Sequence, residues 1–91
     1  MRISFDKDLN NALNEITSKF NEEEVKLLVE NFLNTVTSEY RNKDLFASMK
    51  EGYDNAISLY CIWKDSNYRN IAKGWAKKAA LVNLAEKMNL I

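Results

Sequence analysis

Histidine and proline are absent from this chain, cysteine occurs once and glycine twice. Each shortage closes off a class of protein. Without histidine the commonest general base, the commonest metal ligand and every Ser–His or Cys–His nucleophile pair are gone. A lone cysteine, Cys61, forms no internal disulfide, which fits a reducing compartment. With Gly52 and Gly74 as the only glycines, the punctuation that divides chains into strands and turns is nearly missing. No apolar run approaches the ~18 residues of a membrane span. The start, Met1-Arg2-Ile3-Ser4-Phe5-Asp6, reaches an acid too early for a signal peptide. The expected setting is therefore cytoplasmic, with no membrane partner.

What is present describes one helical domain. Ninety-one residues, 46% hydrophobic and 29% charged, suffice for a modest core but not for two domains with a cleft between them. The net charge is zero, yet residues 1–44 carry six basic against nine acidic side chains and residues 45–91 carry seven against four. No acid occurs between Asp65 and Glu86, where Arg69, Lys73, Lys77 and Lys78 all fall. A chain so divided can draw an anionic ligand, an acidic protein or a second copy of itself to its basic end.

Apolar spacing predicts four helices at about 6–20, 22–40, 44–64 and 68–88, an all-α, bundle-like fold with antiparallel neighbours. Phe5, Leu9, Ala12, Leu13, Ile16 and Phe20 recur at threes and fours. Asn21 followed by Glu24 has the spacing of a capping box, with three glutamates in the first turn where the positive helix end favours them. Val25, Leu28, Val29, Phe32, Leu33, Val36 and Tyr40 continue the same period. The third segment carries Leu45, Phe46, Met49, Tyr53, Ala56, Ile57, Tyr60 and Trp63 on one face. Gly52 interrupts it, and the near-continuous apolar run 57–63 reads either as the helix end or as a short buried strand. Asp65-Ser66-Asn67 supplies a turn and cap before the last helix. Tyr53, Ala56, Ile57 and Tyr60 resemble part of the second helix of a tetratricopeptide repeat over about eight residues, without a second copy at the repeat period. An ordinary core face accounts for the same positions.

The chemistry that survives these exclusions is sparse. Cys61 sits within Leu59-Tyr60-Cys61-Ile62-Trp63 and reads as a buried, inert thiol. The acids gather at helix starts, where dipole stabilisation accounts for them. Asp6-Lys7-Asp8-Leu9-Asn10 has the oxygen spacing of a calcium loop, but Asn11 stands where glycine is needed and Thr17 where glutamate is. No phosphate loop, zinc spacing or dinucleotide fingerprint occurs. The reading is a non-enzyme without catalytic, metal or cofactor residues.

Two surfaces remain. Arg69, Lys73 and Lys77 form a stripe on the last helix with Lys64 and Lys78 nearby and Tyr68 beside it, a candidate phosphate-recognition surface for a nucleotide or nucleic acid. The C-terminal end of that helix is apolar most of the way round. Leu81, Leu84, Met88, Leu90 and Ile91 are the expected interface for self-association or for another protein. The first expectation for function is stoichiometric protein binding by a small regulator, adaptor, immunity or counter-defence protein. Phosphate-ligand binding is the second.

Overall fold

A computed structural model describes residues 3–36 and 44–91. It contains four helices, α1 Phe5–Lys19, α2 Glu22–Val36, α3 Leu45–Trp63 and α4 Ser66–Lys87. The expected extension of α2 to residue 40 lies outside the described residues. The run 57–63 is helical, so the strand alternative is settled.

Local chemistry sets the helix boundaries. Ser4 caps α1 by accepting from Lys7 N at 3.4 Å. At α2, Glu24 N donates to Asn21 Oδ1 at 2.9 Å while Asn21 N donates to Glu24 Oε1 at 3.0 Å, a complete capping box. Asp44 caps α3 through Ala47 N at 3.2 Å. Asp65 caps α4 through Asn67 N at 2.9 Å, which moves that helix's start to Ser66, two residues before the expected Tyr68. Between α3 and α4 the turn is made by Lys64 at φ 56°, a left-handed position that costs a non-glycine residue about 1 kcal/mol. The C-terminus of α4 ends on a Schellman motif. Asn89 adopts φ 59°, its N–H donates to Glu86 O at 3.1 Å, and Leu90 N donates to Ala85 O at 2.9 Å.

The packing places α4 at the centre. It lies against α3 along much of its length and against α1 and α2 as well, whereas α1 makes only small contacts with α2 and α3. This is possible because Ala72, Ala76, Ala79, Ala80 and Ala85 are all buried and bring little bulk. Larger side chains from the other helices, including Ile16, Val29 and Met49, fill the space around them. A second cluster of Tyr53, Ala56, Ala72 and Ala76 joins α3 to α4. Phe5 connects the two clusters, edge-on to Phe46 at 5.8 Å and to Tyr53 at 5.1 Å.

This arrangement answers the apolar excess at the end of α4. Leu81 and Leu84 are buried within the single chain, and Met88 and Leu90 are half-buried against the same core. Leu90 reaches it through the Schellman turn, whose closing residue commonly makes such a contact. Of the five expected interface residues only Ile91 is exposed. Most of the wide apolar surface is thus covered within the single chain, by residues of all three other helices.

Two other expectations are corrected at the end of α3. Cys61 is exposed rather than buried, and Trp63, expected on the core face, is 68% exposed. A helix that is apolar all round is covered only where neighbours reach it, and here the neighbouring helix covers one side.

Gly52 has a packing reason. A Cβ at this position would stand 2.5 Å from the Trp75 ring, so the glycine lets the indole lie against the α3 backbone. Gly74 has nothing within 4 Å of the same hypothetical atom. Gly52→Ala should therefore destabilise the fold by about 1–2 kcal/mol, the overpacking cost exceeding the gain in helix propensity. Gly74→Ala should stabilise it by about 0.5–1 kcal/mol. Urea unfolding of the two variants beside wild type checks both signs, and equal shifts would refute the packing role of Gly52.

Candidate functional site

The polar centre of the molecule is a cluster of three side chains from three helices. Asp8 of α1 is buried, with 9% of its surface exposed. Tyr53 of α3 donates its hydroxyl to Asp8 Oδ2 at 2.5 Å. Arg69 of α4 places Nη2 2.9 Å from both carboxylate oxygens. Burial by itself would raise the Asp8 pKa, but the hydrogen bonds from Arg69 and Tyr53, with the charges of Arg69 and Lys73, outweigh it and hold the carboxyl below its ordinary value. Burial and then the bond to Asp8 push the Tyr53 phenol well above its usual range. The bond to Asp8 raises Arg69 further, so all three groups keep one protonation state at neutral pH.

By sequence, Asp8 reads as one of the acids at helix starts and as an oxygen of an incomplete calcium loop. A signal was present, since Asp8 lies three residues after Phe5 and four before Ala12, within the apolar seam of α1. A carboxylate in that seam needs a partner. Its partners stand 45 and 61 residues away in the chain, beyond the reach of any local pattern.

Around this cluster a polar trough runs between α1 and α4. Its first part is a cavity of about 400 Å³ lined by residues that include Ser4, Lys7, Asn11, Tyr60, Arg69 and Lys73. The second part, about 380 Å³, continues past Asn11 and Lys73 to Glu15 and Lys77. Glu15 is bonded to Lys19 at 3.1 Å, and its carboxyl is held low by that bond and, more weakly, by Lys77.

The six stripe residues are thus dispersed. Arg69 and Lys73 enter the first part of the trough, while Lys77 lies at the far end beside Glu15. Lys78 sits over the Trp75 ring, its Nζ 4.4 Å from the centroid. Lys64 forms the turn after α3, and Tyr68 lines a separate, apolar trough between α3 and α4.

That second trough has a cavity volume of about 210 Å³, with Gly52 and Ala56 among small residues lining it and Leu59, Tyr68, Ile71 and Trp75 among the large ones. The pairing of Gly52 with Trp75, and of Leu59 with Tyr68 and Ile71, is that of an antiparallel helix hairpin. Ile71 is 49% exposed, and Ile62 and Trp63 at the end of α3 are each 68% exposed. Among the described residues, no cluster of His, Cys, Asp and Glu suited to a metal occurs, and no helix is long and apolar enough to cross a membrane. No protein-family model matches the chain, and no curated protein or solved structure shows detectable similarity to it.

The Asp8 cluster makes stability depend on pH with a defined sign. Because the folded carboxyl titrates below the ordinary 3.8, its contribution is complete above that value and disappears as pH falls through the lower folded midpoint. Asp8→Asn should cost about 2 kcal/mol near pH 7, since it leaves the Arg69 charge unanswered. The gap between variant and wild type should close below about pH 4. Tyr53→Phe should cost about 1 kcal/mol. Urea midpoints across pH 2–8 test this, and a gap that stayed constant with pH would show that Asp8 acts by packing alone.

Proposed function

We propose that this chain works without catalysis, as a small regulatory or inhibitory module that binds a partner protein through the apolar trough of the α3–α4 hairpin. The observation that carries the reading is the exposure of Ile62 and Trp63, each 68%, three and four residues after Leu59, which lines the trough with Ile71 and Trp75. Exposed aromatic and branched side chains grouped on one face are typical anchors of protein interfaces. A trough with small residues between larger ones, running along two antiparallel helices, suits an apolar helical ridge with one bulky side chain entering the cavity. Lys78, held over Trp75, gives one end a positive rim and favours an acidic residue beside that ridge. The absence of histidine and the engagement of the Asp8 carboxylate by both Tyr53 and Arg69 support a binding role over a catalytic one. An unpaired, solvent-facing thiol at Cys61 fits the cytoplasm as the place of action.

The test is affinity capture from the source cells with wild type, with the double variant Ile62→Asp/Trp63→Asp, and with Leu27→Asp as control. Leu27 is 60% exposed on α2, away from the trough. A partner held in stoichiometric amounts by wild type and the control should be lost with the double variant, whose circular dichroism should match wild type because both positions are exposed. Equal capture by all three proteins would overturn the reading. Light scattering completes the test. A wild-type mass of twice 10.6 kDa that the double variant abolishes would assign the face to a second copy instead of a different protein.

A further inference from the structure

We propose that the first part of the polar trough, between the start of α1 and α4, is a binding site for the phosphate group of a small ligand. Its lining brings together the ammonium groups of Lys7 and Lys73, the guanidinium of Arg69, the hydroxyls of Ser4 and Tyr60 and the amide of Asn11, all able to donate hydrogen bonds. One acid lines this part, Asp8, and its charge is already answered by Arg69 Nη2 and the Tyr53 hydroxyl. Three cations against one carboxylate leave a local surplus of positive charge in a molecule whose net charge is zero.

Two features distinguish this from a solvated lysine face. Among the described residues, neither Lys7 nor Lys73 forms an ion pair, whereas Lys19 and Lys26 pair with glutamates four residues away on their own helices. Arg69, which lines the trough, is only partly answered by Asp8, because its enclosed Nη1 has no hydrogen-bond acceptor among the described residues. A guanidinium with an unanswered N–H keeps part of its positive charge uncompensated, which favours an oxyanion in the trough it lines. A cavity of about 400 Å³ admits more than a bare phosphate, and the half-buried Tyr60 on its wall offers an aromatic surface to a base. The far end of the trough is less suited, because Glu15 lies beside Lys77.

Titration of the full chain with inorganic phosphate, adenosine monophosphate and citrate, followed by amide chemical shifts at low salt, tests the site. Saturable binding of phosphate or the nucleotide should move amides at the start of α1 and around Lys73. Lys7→Gln or Lys73→Gln should weaken it at least tenfold, while Lys64→Gln and Lys78→Gln should leave it unchanged. Tighter binding of the nucleotide than of phosphate assigns the site to a nucleotide, and equal binding assigns it to a free phosphate group. No saturable binding of either at millimolar concentration, preference for citrate, or equal weakening by all four lysine variants would overturn the proposal. Lys7 and Lys73 are exposed and outside the core, so these variants keep the fold.

Discussion

Ala72, Ala76, Ala79, Ala80 and Ala85 are all buried, and the first four, at i, i+4, i+7 and i+8, keep one side of α4 narrow. Helix axes separated by small side chains can approach to about 8 Å, and three helices can then share one as a common wall. The other helices supply the bulk that α4 lacks, with Ile16 from α1, Val29 from α2 and Met49 from α3 almost wholly enclosed. The chain gains a single core with few contacts among the outer helices. The consequence is uneven cover. Among the described residues no helix lies beyond the outer face of α3, and Leu59, Ile62 and Trp63 remain exposed.

The Asp8 cluster works within the same constraint. Apolar packing of one helix on another has no strong preference for register, whereas a carboxylate that must meet a phenol from α3 and a guanidinium from α4 has few acceptable positions. Two of its partners lie on the hairpin and the acid lies on α1, so the cluster ties the first helix to the second half of the chain. It also removes Arg69 from the pool of free cations. A stripe that reads as three equivalent charges along α4 becomes one neutralised residue, Lys73 in the trough, and Lys77 beside Glu15.

The legible parts were those set by neighbours in sequence. Asn21 with Glu24, and the polar turns at Asp44 and Asp65, located helix starts because a cap and its backbone donors lie within three residues of each other. The four-helix, all-α architecture follows from the same spacing and from the lack of breakers. Periodicity could not say which apolar faces would be covered, since that depends on where other helices pass. Leu81 and Leu84 at one end therefore read as surface yet are buried, and Cys61 and Trp63 at another read as buried yet are exposed. Gly52 read as a weakness in α3 because its benefit lies in Trp75, 23 positions later.

The two candidate surfaces share α4 but lie on different sides of it. Residues 71 and 75 contribute to the apolar trough, while 69 and 73 contribute to the polar one. Two positions apart on an α-helix is a rotation of about 200°, so the sets point in nearly opposite directions. One helix thus forms a wall of both sites. The polar trough also draws Tyr60 from α3, next in sequence to Leu59 of the apolar one, so the α3–α4 hairpin, held close by Gly52 against Trp75, contributes to both.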